Sequence, residues 1–95
     1  MRLRAHIPVV PKLSFFYGIS IYMYPRDHNP PHFHAIYGEF SAQVLISDGL
    51  IVNGSLPRRA ERLVREWVHA HQSEIYQAWI NLQGGKSVEA IEPLR

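Results

Sequence analysis

The sequence contains no cysteine, and this absence excludes several kinds of site. Without cysteine the chain can form no disulfide framework, no thiolate zinc site and no cysteine nucleophile. Side-chain chemistry near neutral pH therefore depends on histidine. The chain has six histidines, and three of them lie close together in the sequence.

Long apolar runs are also lacking. No stretch of about 18 apolar residues occurs, so we expect no membrane-spanning helix and no membrane partner. The first 13 residues contain Arg2, Arg4 and only a short apolar patch, whereas the core of a signal peptide needs about 7–15 apolar residues. We therefore expect a cytoplasmic protein.

Charge of one sign is in small excess. Ten Lys or Arg against eight Asp or Glu give a net charge of +2, which is too small to indicate nucleic-acid binding by itself. A length of 95 residues with 46% hydrophobic residues predicts one globular domain with a modest core. Pro8 and Pro11 favour extended chain. We predict an N-terminal arm over residues 1–13 and a single α+β domain over residues 14–95.

The first half of the chain has the period-two alternation of β-strands. We predict a first strand over residues 14–24, with Phe15, Tyr17, Ile19, Ile21 and Met23 facing the core. Further strands are predicted over residues 32–37, 40–47, with Phe40 on the core side, 50–53 and, at the end of the chain, 87–91. Asp48 and Gly49 favour a two-residue hairpin loop that pairs Ile46 with Ile51.

From Arg58 the period changes to 3.6 residues, which predicts a helix with one apolar stripe that contains Trp67 and Trp79. Ser55 lies where an N-cap is expected, and Gly84 with Gly85 ends the stripe. This helix would be about 40 Å long, against an expected radius of gyration of about 12 Å for the domain. It must therefore project, bend or break, and residues 71–73 are the weak point.

Together these elements predict an α+β fold. It is a small, mostly antiparallel sheet of four to five strands, covered on one face by a long C-terminal helix or a bent helix pair. The opposite face of the sheet is left to solvent or to a partner. It is polar but rich in Tyr and His, which suits an interface, although an ordinary solvated sheet face remains an alternative. We predict on this face Gly18, Ser20, Tyr22, Tyr24, His32, His34, Ser41, Gln43 and Leu45.

The segment over residues 27–34, which reads Asp-His-Asn-Pro-Pro-His-Phe-His, is the most unusual in the chain. Histidines two apart on a strand point the same way, and imidazole titrates near neutral pH, so this segment could perform acid–base catalysis. Turn chemistry or a purely structural role are the alternatives. A metal site is a third, but without a fourth ligand we assign no metal and no cofactor. The candidate catalytic residues are Asp27, His28, His32 and His34.

A basic stripe is predicted at the start of the helix, where Arg58, Arg62 and Arg65 share one face with Arg59 beside them. Such a stripe could bind an anion or an acidic protein. The alternative is a solvated surface, because Arg62 and Arg65 can each pair with a glutamate four residues away. The candidate binding residues of the whole chain are Tyr22, Tyr24, Asn29, Arg58, Arg59, Arg62 and Arg65.

Five segments of the sequence carry a resemblance to a known family. They are Phe16-Tyr17-Gly18-Ile19, Asp27-His28-Asn29-Pro30-Pro31-His32-Phe33-His34-Ala35, Tyr37-Gly38-Glu39, Gly54-Ser55-Leu56-Pro57-Arg58-Arg59, and Glu66-Trp67 with His71. They resemble small bacterial proteins of the domain-of-unknown-function family four-one-six-zero, over residues 7–94. The resemblance brings no established reaction or active site.

The resemblance implies a function through gene order. Genes of the family commonly lie beside a gene for a second small protein, which implies a toxin–antitoxin module with this chain as the toxin-like component. The expected partner is that small antitoxin-like protein, with nucleic acid as a further candidate; a homo-oligomer is also open. The alternative is a non-enzymatic interaction or regulatory module that uses the Tyr- and His-rich face. Whether the chain is an enzyme stays open at this point.

Overall fold

The computed structural model describes residues 10–95. Residues 1–9, most of the predicted arm, lie outside the described residues. The elements are the strands β1 (Lys12–Phe16), β2 (Ile19–Tyr22), β3 (His32–Tyr37), β4 (Phe40–Leu45) and β5 (Ile51–Gly54), followed by the helix α1 (Arg58–Gln83). All five strands form one antiparallel sheet in chain order. The predicted α+β class is confirmed, while the predicted domain start at residue 14 falls inside β1.

The predicted first strand is instead a hairpin of β1 and β2. Tyr17 and Gly18 adopt positive φ angles of 50° and 81° and turn the chain, so that Phe16 pairs with Ile19. The turn breaks the alternation, because Phe16 is buried while Phe15 and Tyr17 are exposed. The prediction of one strand over residues 14–24 is therefore wrong. The prediction that Phe15 and Tyr17 face the core is wrong as well. Glycine at this position signals a turn through its tolerance of positive φ.

The loop between β4 and β5 is longer than the predicted two residues. The backbone N–H of Leu45 donates to the oxygen of Leu50, and Val44, not Ile46, pairs with Ile51. The predicted register is therefore wrong. Contacts with the helix explain the difference, because Gln72 of α1 donates hydrogen bonds to the backbone oxygens of Ile46 and Ser47.

The predicted strand over residues 87–91 does not form. Residues 86–95 have no regular secondary structure. They are held by two contacts: the backbone N–H of Ile91 donates to the oxygen of Leu13 at 2.7 Å, and the indole of Trp67 donates to the oxygen of Glu92 at 2.9 Å. The C-terminal segment thus lies at the β1 edge without extending the sheet.

The helix α1 bends, and it does so within the predicted weak point. His71 has non-helical angles (φ −130°, ψ 25°) in an otherwise helical run. The predicted N-cap at Ser55 is wrong, because the helix begins directly after Pro57 and no side chain caps it. No helix within residues 10–95 is long and apolar enough to cross a membrane.

The core lies between one face of the sheet and α1. Trp67 is fully buried there, with its ring 5.5 Å from that of Phe16 and 5.6 Å from that of Phe33. Phe40, predicted to face the core, is 45% exposed, because it directly follows the turn at Gly38. The predicted helix stripe is confirmed in its apolar members: Ala60, Leu63, Val64, Trp67, Ile75, Ala78, Trp79 and Leu82 are buried.

Candidate functional site

The loop between β2 and β3 carries Asp27 and fixes it from two sides. The Asp27 carboxylate accepts a hydrogen bond from the backbone N–H of His28 at 2.8 Å. The Asp27 backbone oxygen accepts one from the side chain of Gln83, also at 2.8 Å. The second bond joins residues 56 positions apart and ties the loop to the end of α1. A local turn and a tertiary contact together therefore hold this carboxylate in place.

The strand β3 begins at His32 and brings its ring near that of His34, with ring centroids 5.3 Å apart. His32 is only 2% exposed, because Trp79 of α1 lies 5.4 Å from its ring and His28 stacks on it at 5.4 Å. The prediction that His32 lies on the exposed sheet face is therefore wrong. The end of α1 and the loop cover it, and strand alternation alone contains no sign of either.

These side chains converge on the Asp27 carboxylate. Atom Nε2 of His32 lies 3.0 Å from Oδ2 of Asp27, and Nε2 of His34 lies 3.4 Å from the same oxygen. One ligand atom from each of the three residues lies within 4.8 Å of the other two. We call Asp27, His32 and His34 the Asp–His cluster. Its three members were all predicted as site residues, and the structure brings them together.

The charge state of the cluster follows from its surroundings. Partial burial raises the pKa of Asp27, but hydrogen bonds from the His28 backbone and His34, together with electrostatic interactions with His32 and His28, outweigh it and hold that pKa below its usual value. Partial burial also lowers the pKa of His34, although its hydrogen bond to Asp27 opposes the shift. At neutral pH the cluster therefore has an ionised carboxylate beside a neutral His34 imidazole.

The other two residues predicted from this loop lie at the rim of the cluster. The side chain of His28 is 76% exposed, and its Nε2 is 3.8 Å from Oδ1 of Asp27. Its other ring nitrogen, Nδ1, lies 3.3 Å from the backbone oxygen of Asn29. Asn29 itself is exposed, and the bond between it and Pro30 is cis. Both side chains are thus accessible to a ligand at the cluster.

A row of polar side chains crosses the sheet at His34. Register pairs Lys12 with Tyr22, Tyr22 with His34, His34 with Gln43, and Gln43 with Asn53. The row therefore touches all five strands on the face opposite α1, and we call it the transverse row. Its residues His34, Gln43 and Asn53 help to line a shallow hollow of about 140 Å³.

Two aromatic side chains extend the row on the β2 side of His34. The ring of Tyr24 meets that of His34 edge-on at 4.3 Å. The ammonium of Lys12 lies 5.9 Å from the ring of Tyr22. The predicted binding residues Tyr22 and Tyr24 are therefore adjacent to the cluster, and both offer aromatic surface to a ligand.

The predicted basic residues do not reach the cluster. Arg58 begins α1, whereas Trp79, which covers His32, lies about 30 Å further along the helix at 1.5 Å per residue. Arg59 lies over the ring of Tyr17 at 5.7 Å. Arg62 and Arg65 form ion pairs with Glu66 and Glu61. The helix therefore separates Arg58 from the histidines.

Sequence reasoning missed three residues that build the site. Lys12 was placed in the arm, although reading Gly18 as a turn would have placed it on a strand beside β2; a register shift between Lys12 and Ser14 then sets it opposite Tyr22. Trp79 was assigned to the core without its contact to His32. Gln83 carried no signal, because its bond to Asp27 depends on the position of the helix end.

One comparison with known proteins identifies a family. The family model described as "Domain of unknown function (DUF4160)" matches residues 18–80, which is more than half of the chain. The matched region contains the Asp–His cluster, Tyr22, Tyr24 and the basic stripe, but not Lys12 or Gln83. Neither a curated protein nor a solved structure matches the chain. The family description names no activity, so the function must be argued from the site.

Proposed function

The chain belongs to the DUF4160 family, and on this premise we propose that it is the toxin-like component of a bacterial toxin–antitoxin pair. In this proposal it is a cytoplasmic protein that acts on nucleic acid and is held in check by a small protein from a neighbouring gene. The observation that carries the proposal is the convergence of Asp27, His32 and His34 beside an open polar sheet face.

The cluster supports a catalytic role because it brings together titratable side chains that differ in burial and in charge. A buried histidine, a neutral histidine and an ionised carboxylate share one small volume, and bonds from outside the loop fix their positions. Perturbed, preorganised titratable groups of this kind are typical of catalytic centres. His28, exposed at the rim, would lie beside a substrate held at the cluster.

The transverse row supports nucleic acid as the substrate class. Single-stranded nucleic acid is bound where aromatic rings stack on bases and cations contact the backbone phosphates. Tyr22 and Tyr24 supply rings directly beside His34, and Lys12 supplies a cation at the β1 edge. Gln43 and Asn53 supply hydrogen-bonding groups on the other side. A strand laid along this row would place a phosphodiester over the cluster.

Growth arrest on expression tests the catalytic part of the proposal. We expect expression of the wild-type chain to arrest growth and the purified protein to cleave single-stranded RNA or DNA. Asp27→Asn and His34→Ala should each abolish both effects. His69→Ala, which changes an exposed histidine on α1, is the matched control and should remain toxic. If Asp27→Asn and His34→Ala stay as toxic as the wild type while folded, the catalytic role fails.

The basic stripe supports a separate surface for the partner protein. Arg58, Arg59, Arg62 and Arg65 lie at the start of α1, away from the cluster, where they could bind an acidic partner. Co-expression with the neighbouring gene's product should give a complex that co-purifies. The double variant Arg58→Glu/Arg59→Glu should lose it, whereas Arg95→Glu should keep it. Equal recovery with both variants would exclude the stripe.

A non-enzymatic interaction module is the second candidate. The hollow beside His34 is shallow. The side chains of Phe15 and Val52 on the sheet, and of Tyr17 in the β1–β2 turn, are about half exposed. Exposed aromatic and apolar side chains favour a protein interface. This reading predicts a tight complex with the partner, no cleavage of RNA or DNA and no growth arrest by the free chain.

A further inference from the structure

We propose that the Asp–His cluster binds one divalent first-row transition metal ion. The inference concerns the centre of the proposed function but rests on its geometry alone, so it holds whatever the substrate is. Three donor atoms, two imidazole nitrogens and one carboxylate oxygen, lie within 4.8 Å of one another. Three further observations indicate that these donors can bind a metal ion.

The first observation is the orientation of His32. Its Nδ1 lies 2.7 Å from the backbone oxygen of Pro30, and a carbonyl oxygen can only accept a hydrogen bond. Nδ1 must therefore carry the proton. The other nitrogen, Nε2, is buried without a hydrogen-bond partner: it lies 3.0 Å from Oδ2 of Asp27, but a proton on it would not point at that oxygen.

The consequence is a buried lone pair beside a carboxylate. In its neutral form with Nδ1 protonated, His32 has a lone pair on Nε2, and this atom lies 3.0 Å from Oδ2 of Asp27. Two electron-rich atoms at 3.0 Å repel each other unless a proton or a metal cation lies between them. A metal ion bound to both removes that repulsion and satisfies the unpaired nitrogen. The His32 contact to a backbone oxygen is also the support that metal-binding histidines usually have.

The second observation is the spacing of the donors. Zinc binds histidine nitrogen and carboxylate oxygen at about 2.0–2.2 Å. Donors at that radius are about 3.0 Å apart at a right angle and about 3.4 Å apart at the tetrahedral angle. The two distances to Oδ2 of Asp27 are 3.0 Å and 3.4 Å. One ion can therefore contact the carboxylate and either histidine with little movement.

The third observation is that the two oxygens of the Asp27 carboxylate have different neighbours. Oδ1 of Asp27 accepts the backbone N–H of His28, while Oδ2 faces His32 and His34. Gln83 holds the backbone of the same residue. Nδ1 of His34 has no hydrogen bond among the described residues, so its ring can shift its proton to Nδ1 and offer Nε2 to the ion.

The donor set defines the class of metal. Two imidazoles with one carboxylate suit zinc, iron(II), nickel or manganese better than magnesium or calcium, which prefer oxygen ligands. Three protein ligands leave coordination positions open, as in catalytic and not structural zinc sites. The hollow lined by His34, Gln43 and Asn53 shares His34 with the cluster. Such an ion would also supply the cation that Arg58 is too distant to supply.

Metal titration of the protein without a histidine tag tests the inference. Metal-free protein, prepared with a chelator that is then removed, is titrated with Zn²⁺ by calorimetry and with Co²⁺ by visible absorption. We expect one ion per chain. Asp27→Asn and His34→Ala should each weaken binding at least about 100-fold, the upper end of what losing a mere supporting contact costs. His69→Ala should bind as the wild type does.

Circular dichroism of each variant separates loss of the site from loss of the fold. If folded wild-type protein binds no ion at millimolar zinc, or if Asp27→Asn and His34→Ala bind as tightly as it does, the metal site is wrong. The result is distinguishable from that of the proposed function. Metal binding without growth arrest would overturn the function alone, and growth arrest by a chain that binds no metal would overturn the site alone.

Discussion

The two groups of polar residues on which function could depend lie near opposite ends of α1, and they are built differently. At the far end, the Asp–His cluster is buried or half-buried, and it is tied to Gln83 across 56 positions of sequence. At the near end, the side chains of Arg62 and Arg65 are 59% and 40% exposed, and each pairs with a glutamate four residues away on the same helix.

The difference indicates which polar side chains of this fold are held in a fixed geometry. Exposed pairs within one helix contribute little stability and rearrange easily. Buried polar groups instead have to be satisfied by several parts of the structure at once. The cluster is such a place, and Nε2 of His32, which is buried without a hydrogen-bond partner, is where the proposed metal ion would bind. The basic stripe is a surface that a partner can use without any fixed geometry.

The largest effect is expected where the cluster meets the core. Trp79→Ala removes a buried indole that also covers His32, and it should lower the free energy of unfolding by about 3–5 kcal/mol. Ile80→Ala, at the next and exposed position, should change it by less than about 0.5 kcal/mol. Urea denaturation measures both. Similar losses for the two variants would contradict the packing of α1 on the cluster.

The tie between the loop and the helix should contribute less. Gln83→Ala removes one hydrogen bond to the Asp27 backbone and should cost about 0.5–1.5 kcal/mol. Gln77→Ala removes a contact to Asn81 within the helix and is the matched control. Hydrogen exchange should also quicken at residues 27–29 in Gln83→Ala and not in Gln77→Ala. If exchange there is unchanged, the loop is held by other contacts.

The electrostatic coupling inside the cluster should appear in the titration of His34. In metal-free protein the pKa of His34 should lie below 6.5, since partial burial lowers it. Its folded pKa is below its unfolded pKa, so the stability contributed by neutral His34 is present above about pH 6.5 and lost as pH falls below it. Asp27→Asn should lower the pKa further, because Asp27 opposes the effect of burial. A pKa that rises in this variant, followed by NMR, would contradict the coupling.

The smallest effect is expected at the basic stripe. Arg62→Ala breaks the exposed pair with Glu66 and should change the free energy of unfolding by less than about 0.5 kcal/mol. A double-mutant cycle with Glu66→Ala measures the pair itself. A coupling energy above about 1 kcal/mol would show that the two ends of α1 are less different than their exposure indicates.

Local pattern predicted much of the fold. The helix, its apolar stripe, its weak point near His71 and the class of the sheet follow from periodicity and length. The hairpin at Gly18 was missed because aromatic and β-branched residues continue on both sides of it. The β4–β5 register was missed because Gln72 holds the loop open from another element. Both errors arose where a tertiary contact or a single turn residue overrides alternation.

The candidate site was predictable in its members but not in its construction. The spacing of His32 and His34 on a strand, next to a turn with Asp27, was visible in the sequence. The burial of His32 was not, because it depends on Trp79 and on how far α1 extends. The separation of Arg58 from the histidines likewise depends on how far α1 extends.

The protonation of His32 in metal-free protein at neutral pH tests the account most directly. Long-range proton–nitrogen correlation spectra distinguish a protonated ring nitrogen from one with a free lone pair. We expect Nδ1 of His32 to carry the proton, with Nε2 unprotonated and shifting when Zn²⁺ is added. A proton on Nε2, or an Nε2 signal that zinc leaves unchanged, would contradict the claim that this buried lone pair is the centre of a ligand site.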